Sequence, residues 1–411
     1  MKKQKNFTSL VLGGVVLFLL SSCSPNYLKF SISLAPLKIN EQKTEPISDA
    51  NRKNNVLKQM TKDMVDALSL KDEKLNNIFS PTSFFQCVGE VALASKNGFQ
   101  YVTDLGYTSL SQFKDDFDAL QKYFLFESDY TYLKLLGFYC LYNIDKPNLE
   151  VLNNLASKSN LSSFNFNDAR DLISTANEYL NVNAGIDFKI PESIIERYEK
   201  AVFAVNGLHI KDSFRHEKEI IQSNFTDLNG TTNKKDFIEF ENYGHIYRDD
   251  NNKVFLFDAS VAYSRLIYVL PFEGTNINDI DLNNIDLFSF NKNNNVNPKQ
   301  FKITAPLFSN ETEFDNYNTL LKNYHISVET APFNNITDDV FAEPEMFAYQ
   351  KNKFELTNKG IEGKAVTIIG EGATSSAPMP DDATEIIVDR PFYCLSMFGD
   401  YPLFINKITN L

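Results

Sequence analysis

The side chains that most often perform chemistry in proteins are few in this chain and lie far apart. The serine-hydrolase elbow GxSxG, the zinc motif HExxH, the phosphate-binding P-loop and the dinucleotide motif GxGxxG are all missing from the sequence. Residues 249–252, which read DDNN, lack the glycine and the downstream glutamate of a calcium loop. The histidines stand at no spacing that suits one metal ion, and they are His209, His216, His245 and His325. We therefore predict no catalytic residue, no metal and no cofactor, and the protein is not expected to be an enzyme.

The first cysteine, Cys23, stands where a membrane anchor would be attached. A short basic start precedes an apolar run that ends in Leu20-Ser-Ser-Cys23. A run of this length with these flanks is typical of a signal peptide and not of a membrane-spanning helix. Its ending resembles the bacterial lipoprotein box, in which the cysteine is lipidated and becomes the new N-terminus. An ordinary secretory signal with an incidental cysteine is the alternative.

The lipoprotein interpretation divides the chain and places it in the cell. Residues 1–22 form the signal peptide, and residues 23–50, which are polar and contain prolines, form a lipidated tether. The residue after Cys23 is Ser24 and not an aspartate, a pattern that resembles outer-membrane sorting. We expect a cell-envelope protein in the outer membrane, and exposure at the cell surface stays open.

The other cysteines are Cys87, Cys140 and Cys394, and each stands in an apolar stretch of sequence. Three is an odd number, and no CxxC spacing is present. Buried thiols are therefore expected in preference to a disulfide pair.

The composition limits the class of protein and its partners. A hydrophobic content of 43% with 35 phenylalanines is ample for a large core. The formal net charge of −13 argues against nucleic acid as a partner, since phosphate binding needs a basic face. No linker or internal repeat divides the chain after residue 51, so we expect residues 51–411 to form one domain and the protein to be a monomer.

The predicted elements are helical first and extended later, which indicates the α+β class. Apolar residues at helical spacing predict helices over residues 56–68, 84–95, 110–124, 149–158, 168–180, 192–200 and 314–324. Strands are predicted over residues 133–142, 201–210, 236–240, 253–257, 264–271, 300–306, 390–398 and 403–408.

One stretch near the C-terminus, residues 354–392, combines a strand pattern with a long loop. In an extended chain Ile361, Gly363, Ala365 and Thr367 share one face, because strand side chains alternate. The continuation from residue 370 is rich in glycine, serine and proline, which is loop chemistry. Loops of this length inside a folded domain are usually functional or disordered.

Several segments, in order, resemble the serpin family over residues 54–411. The residues that carry the resemblance are the entry to a buried helix, Asn77-Ile-Phe-Ser80-Pro81-Thr-Ser83; the long strand 201–211; Val269-Leu-Pro271; the hinge Phe354-Glu-Leu-Thr-Asn-Lys-Gly360; and the closing segments Arg390-Pro-Phe392 and Pro402-Leu-Phe-Ile405. The resemblance implies a serpin fold, with N-terminal helices packed on large, mostly antiparallel sheets and an exposed reactive loop at about residues 360–389.

The resemblance also implies a function, that of a suicide inhibitor of serine or cysteine proteases. The protease attacks a reactive bond in the loop, and the cut loop inserts into the main sheet as an extra strand. Gly360 is then the hinge, and Ile361, Gly363, Ala365 and Thr367 are the residues that insert. The family's shutter, which holds the sheet closed, corresponds to Ser80, Pro81, Ser83, Asn206 and Gln350.

The family's usual hinge length places the reactive bond at Thr374-Ser375, whereas counting back from Pro391 places it near Met379-Pro380. A bond that precedes proline is a poor protease substrate, which favours Thr374-Ser375. Neither bond follows a lysine or arginine, so an elastase-, subtilisin- or papain-like target is expected.

Departures from the family pattern keep a second function open, that of a non-inhibitory serpin-fold surface lipoprotein that binds a partner. Ile361 and Lys364 stand where inhibitory members carry small residues, and slow insertion would let the acyl-enzyme hydrolyse. Asn358-Lys359 replaces an acidic pair before the hinge. Gln350 and Phe214 stand where the family has histidine and tryptophan.

Overall fold

A computed structural model describes residues 28–29, 45–187, 189–196, 198–244, 246–290, 299–314, 318–341, 346, 348–365 and 384–411. The α-helices of this part of the chain are α1 (Ala50–Ser69), α2 (Pro81–Ala94), α3 (Leu110–Tyr123), α4 (Leu149–Ser159), α5 (Ala169–Ala184) and α6 (Asn318–Leu321). Its strands are β1 (Leu28–Lys29), β2 (Asn77–Phe79), β3 (Phe126–Glu127), β4 (Thr131–Tyr142), β5 (Ser162–Phe166), β6 (Ala201–Ser213), β7 (Ile221–Thr226), β8 (Thr232–Gly244), β9 (Tyr247–Asp249), β10 (Val254–Ser260), β11 (Ser264–Pro271), β12 (Lys299–Pro306), β13 (Phe308–Phe314), β14 (Gln350–Thr357), β15 (Gly360–Ala365), β16 (Thr384–Ile387), β17 (Phe392–Phe398) and β18 (Tyr401–Ile408).

The strands form three sheets. The main sheet has the order β1-β5-β4-β6-β15-β14-β13, with β3 paired to β4. The second sheet has the order β2-β18-β17-β11-β10-β9, and the third has the order β16-β12-β8-β7. Since β15 is antiparallel to both β6 and β14, those two flanking strands run parallel to each other. The fold is α+β with helices preceding most strands, as the sequence predicts.

Helix α2 occupies the centre of the molecule because its sequence is apolar or small on nearly every face. The Ser80 side chain accepts a hydrogen bond from the Ser83 N–H, and Pro81 takes the first helical position, where its missing N–H costs nothing. Every residue of α2 except Cys87 is buried. The helix packs against β6 of the main sheet on one side and against β18 of the second sheet on the other.

A second apolar layer covers the opposite face of the main sheet. Helix α5 begins at the Asp168 cap and ends at Gly185, which has a left-handed backbone. Its Leu172, Ala176 and Leu180 pack on side chains of β4, β5 and β6. The main sheet is therefore buried on both faces in this region, which suits the long apolar run that forms β6.

Two of the predicted helices are wrong in extent. Among the described residues of 192–200, a 3-10 turn covers Glu192–Ile194, since β6 begins at Ala201 and leaves too few residues to nucleate an α-helix. Among the described residues of 314–324, Phe314 ends β13 and α6 begins at Asn318. The Phe314 ring packs edge-on to Phe79, which holds it in the strand.

The end of the predicted tether lies on the folded domain. Ile47 is fully buried, and the Glu45 carboxylate accepts a hydrogen bond of 2.8 Å from the Tyr401 hydroxyl. Further upstream, Leu28 and Lys29 pair with Phe164 and Asn165 at the edge of the main sheet. Within the described residues, none of the helices has the length and apolar character needed to cross a membrane.

Asp63 of α1 makes the stability of the fold dependent on pH. Burial raises the pKa of this carboxyl from 3.8 to about 7, although Tyr324, Asn323 and Gln59 donate hydrogen bonds to it. Because the pKa of Asp63 is higher in the folded than in the unfolded chain, its contribution to the free energy of unfolding is fully present below about pH 4. This contribution is lost as the pH rises to about 7, which lowers the free energy of unfolding by roughly 4 kcal/mol.

We expect Asp63→Asn, which keeps the shape but cannot ionise, to flatten this dependence and to stabilise the protein at pH 8 relative to wild type. Urea unfolding at pH 4.5, 6 and 8 measures it. An unchanged slope of stability with pH in the variant would show that Asp63 is already ionised in the folded protein.

Candidate functional site

The first six residues of the predicted reactive loop form a strand in the centre of the main sheet. Strand β14 ends at Thr357, a two-residue turn follows, and β15 starts at Gly360 and lies between β14 and β6. Gly363 stands opposite Phe354 on one side and Ile210 on the other. The loop is therefore inserted through Ala365 in an uncleaved chain, whereas an exposed loop from residue 360 was expected. The strand pairing explains this, since β15 joins β6 to β14 by main-chain hydrogen bonds over this stretch.

Gly360 makes the turn into the sheet possible. Its φ of +147° lies in a region that side-chain-bearing residues rarely adopt. A Cβ atom at this position would stand 2.2 Å from the Asp212 carbonyl oxygen. Only glycine therefore lets the backbone pass this closely to β6, which is consistent with the hinge role predicted for this residue.

The inward face of β15 fits the core beneath the sheet. Ile361 is 2% exposed and joins the main hydrophobic core, so the sheet accommodates its bulk. Gly363 is buried against Phe404, where a Cβ atom would meet the ring at 2.6 Å. Ala365 is the last described residue of β15 and is paired with Leu208. Thr367 lies outside the described residues.

The outward face of β15 carries charge. Glu362 pairs with Lys211 of β6 in the register, and its carboxylate lies 3.9 Å from Nε2 of His209. His209 is fully buried, and its Nδ1 is 2.8 Å from the carbonyl oxygen of Ala184 at the end of α5. The inserted strand thus contacts a histidine held by the helix that covers the sheet.

An open cavity of about 390 Å³ lies directly below β15. One wall is the lower half of β6, the facing wall is formed by Met346 and residues 348–351, and Phe84, Cys87 and Val88 of α2 form the floor. Among the described strands, none pairs with the cavity-side edge of residues 201–206 of β6. The cavity therefore lies on the path that β15 would follow if it continued along β6.

Hydrogen bonds at the start of α2 connect both walls of this cavity. The Ser83 hydroxyl donates to the Asn206 side chain at 2.6 Å, and the Asn206 amide donates to the Ser83 carbonyl at 2.8 Å. On the other side, the Ser80 N–H donates to Oε1 of Gln350, whose amide donates to the Ser80 carbonyl, both at 3.1 Å. The residues predicted for the shutter therefore lie together. The Gln350 side-chain amide both accepts a hydrogen bond from the Ser80 backbone and donates one to it.

Ser80 also connects α2 to the second sheet, since its buried hydroxyl donates to the Leu403 carbonyl at 2.7 Å. We expect Ser80→Ala to lower the free energy of unfolding by roughly 2 kcal/mol, because it removes the helix cap and leaves a buried carbonyl without its donor. Ser109→Ala removes an exposed cap of α3, whose oxygen accepts from Gln112 N–H, and should cost only about 1 kcal/mol. Urea unfolding compares the two. Equal losses would mean that the Leu403 bond contributes nothing.

The remaining predicted site residues fall outside the described part of the chain. These are Cys23, the reactive-bond candidates Thr374-Ser375 and the alternative Met379-Pro380. After them, β16 pairs in parallel with β12 at the edge of the third sheet. The far end of the predicted loop is therefore also held in a strand.

Within the part of the chain that the structure describes, no three of His, Cys, Asp or Glu could hold a metal ion. His325 is exposed beside Asp104, and His245 is outside the described residues. Cys140 and Cys394 are buried as predicted, whereas Cys87 is partly exposed on the cavity floor.

Sequence reasoning missed the residues that hold the hinge turn. The Phe214 N–H donates to the Lys359 carbonyl and the Lys218 N–H donates to the Asn358 carbonyl, both at 2.8 Å. The Asn358 amide donates to the Glu217 carboxylate at 2.7 Å. The sequence signal for this contact was the replacement of the family's acidic pair by Asn358-Lys359. Glu217, the hydrogen-bond partner of Asn358, lies 141 residues away in the sequence, so a local pattern does not reveal the contact.

Comparison with known proteins identifies this architecture. The family model described as Serpin (serine protease inhibitor) matches residues 55–411. Among solved structures, a cleaved Serpin 42Da is 16% identical with a TM-score of 0.71, and the match covers 88% of this chain and 99% of that one. The native state of the thermophilic serpin tengpin is 17% identical with a TM-score of 0.71 over 94% and 100% of the two chains. Human thyroxine-binding globulin in complex with thyroxine is 17% identical with a TM-score of 0.69 over 88% and 99%. No curated protein matches the chain.

Proposed function

The chain belongs to the serpin family, and from this premise we propose that it inhibits a serine or cysteine protease by acting as a suicide substrate. The observation that supports this most directly is the position of β15. The strand enters the main sheet at Gly360 and ends at Ala365 at the upper edge of the open cavity. A cut loop can extend the same strand downward without any change of register.

The chemical steps belong to the protease. Its serine or cysteine attacks the reactive bond, and the new acyl-enzyme attaches the protease to the loop. Continuing the register of β15 would place the next residues opposite Gly207 and Asn206, with Thr367 on the inward face. Insertion would add main-chain hydrogen bonds along the cavity-side edge of β6 and fill the cavity, which releases the free energy stored in the uncleaved chain.

The reactive bond that we propose is Thr374-Ser375, with Met379-Pro380 as the alternative. A small polar residue before the bond suits an elastase- or subtilisin-like serine protease or a papain-like cysteine protease. Trypsin-like proteases prefer lysine or arginine at that position, so trypsin is a useful comparison.

One observation favours the second candidate function, a non-inhibitory serpin-fold lipoprotein that binds a partner. Six residues of the loop already lie in the sheet before cleavage, so less insertion remains to drive the trap. Under this alternative the protease cuts the loop and leaves, and the fold serves binding.

We further propose that the protein is a monomer attached to the bacterial cell envelope through lipid on Cys23. The pairing of Leu28 and Lys29 with β5 would hold the start of the mature chain against the domain. Cys23→Ser should shift the protein from the detergent phase to the aqueous phase in a partition assay. A wild-type protein that already partitions into the aqueous phase would contradict the anchor.

Incubation with elastase, subtilisin, papain and trypsin, followed by denaturing gels, tests the inhibitory function. A covalent complex that survives the gel supports it, and sequencing the released peptide's new N-terminus identifies the reactive bond. Cleavage without complex but with a higher melting temperature supports the non-inhibitory alternative. Cleavage with neither result contradicts the insertion mechanism as a whole.

A further inference from the structure

Several hydrogen bonds join the two-residue turn between β14 and β15 to the segment that follows β6. Besides the two backbone bonds from Phe214 and Lys218, the Asn358 side-chain amide donates to Oε1 of Glu217 at 2.7 Å. Within the turn, the Thr357 hydroxyl donates to the Gly360 carbonyl at 3.1 Å and accepts from the Lys359 N–H at 3.2 Å. We call this arrangement, residues 357–360 with residues 214–218, the hinge clamp.

The side of the clamp that belongs to β6 is itself fixed. The Asp212 carboxylate is fully buried and accepts hydrogen bonds from the Thr131 hydroxyl of β4 and from the N–H groups of Tyr263 and Ser264, the latter at 2.8 and 2.6 Å. Tyr263 lies in the turn that connects β10 to β11 in the second sheet, and Ser264 is the first residue of β11. The upper end of β6 is therefore held to the main sheet and to the second sheet at once, and the hinge turn binds the segment directly after it.

The pairing of Asn358 with Glu217 depends on the residue type at position 358. An asparagine amide can donate to a carboxylate, and such charge-assisted bonds are among the stronger ones in proteins. A glutamate at 358 would bring two carboxylates together and replace the bond with repulsion. The Asn358 amide also lies 3.4 Å from the Lys218 carbonyl oxygen, and the Lys218 ammonium group lies over the Phe214 ring, 5.7 Å from its centroid.

We propose that Asn358 and Glu217 are a matched pair of positioning residues that hold β15 in the main sheet of the uncleaved chain. The pair sets how much of the loop is withdrawn from solvent before any protease arrives. This inference deepens the proposed function, on which its consequence for inhibition rests, while the inserted state itself can be measured without a protease. Breaking the pair shifts the chain toward a state in which the loop leaves the sheet from Gly360 onward.

Hydrogen exchange of the intact, uncleaved protein, read by mass spectrometry on peptides that cover residues 208–213 and 360–365, tests the clamp. Asn358→Glu should raise the exchange rate of these amides roughly five- to tenfold, because the bond is exposed and its loss is joined by repulsion between two carboxylates. Adding Glu217→Lys to that variant restores an opposite-charge pair and should return exchange to within about twofold of wild type. Lys359→Gln is the matched control, since the exposed Lys359 contributes only its backbone to the clamp.

Exchange in β17 and β18 reports whether the variants stay folded, because these strands lie in the second sheet away from the hinge. Exchange of residues 360–365 in Asn358→Glu at the wild-type rate would overturn the proposal. So would a double variant that exchanges as fast as the single one, since the effect would then not belong to the pair. If the proposed inhibitory function is wrong, the result is different. The variants then change hydrogen exchange as described, but no protease forms a covalent complex with the protein.

Discussion

Under the proposed function, Gly363→Val should convert the protein from a suicide inhibitor into a plain protease substrate. Gly363 points inward from β15, and a Cβ atom there would meet the Phe404 ring at 2.6 Å and the Ile210 side chain at 2.9 Å. The two further methyl groups of valine would enlarge this overlap. Overpacking of this kind costs about 1 to 3 kcal/mol. Because Gly363 already lies in the sheet before cleavage, valine should expel β15 from the sheet of the uncleaved chain. The cut loop must then insert against this cost, roughly ten- to a hundredfold more slowly. The acyl-enzyme would then hydrolyse before the loop inserts.

The measurement is the fraction of protease that ends in a gel-stable complex, together with the melting temperature of the cleaved variant. Glu362→Val is the matched control, since it introduces the same side chain one residue earlier on the outward face of β15. The control should keep the complex and the Gly363 variant should lose it. Equal complex yield from both variants would show that β15 does not carry the insertion.

Filling the cavity from below should have a comparably large effect. Cys87 lies on the cavity floor with its thiol 3.4 Å from the Ala204 carbonyl of β6. We expect Cys87→Phe to occupy the space that the inserted strand needs, so that cleavage raises the melting temperature by less than half of the wild-type gain. The uncleaved variant should melt at or above the wild-type temperature, because the phenyl ring covers apolar surface that now lines an empty space.

Cys87→Ala is the control for this prediction, since it removes the thiol and leaves the cavity open. Differential scanning calorimetry of cleaved and uncleaved forms of both variants gives the comparison. A full wild-type gain in the phenylalanine variant would mean that the cut loop does not enter this cavity.

Much of the fold follows from the sequence because local patterns decide it. Apolar residues at helical spacing predict a helix over residues 84–95, which matches most of α2, and the strand predicted over residues 264–271 is β11. The short strands β5 and β7 escaped prediction because their residues are mostly polar or small. Their partners are supplied by distant segments, which a local pattern does not contain.

The state of the loop is the part that the sequence could not decide. The alternation of Ile361, Gly363 and Ala365 is the same whether the segment waits in solvent or lies in the sheet. The difference depends on the pairing of β15 with β6, on the close passage of Gly360 by Asp212, and on the bond from Asn358 to Glu217. Each of these joins residues far apart in the chain. The replacement of the acidic pair before Gly360, considered alone, is only a departure from the family pattern, whereas in the structure Asn358 donates a hydrogen bond to Glu217.

We propose that the cut loop inserts into the cavity below β15. Filling a cavity of about 390 Å³ corresponds to as much as roughly 9 kcal/mol at ~24 cal/mol per Å³, or a rise in melting temperature of roughly 10 °C for a chain of this size. The most direct test is calorimetry of the wild-type protein before and after a single cut within residues 366–383. We predict that the cut chain stays together and melts roughly 10 °C higher. A cut chain that melts at or below the temperature of the intact protein would contradict the claim.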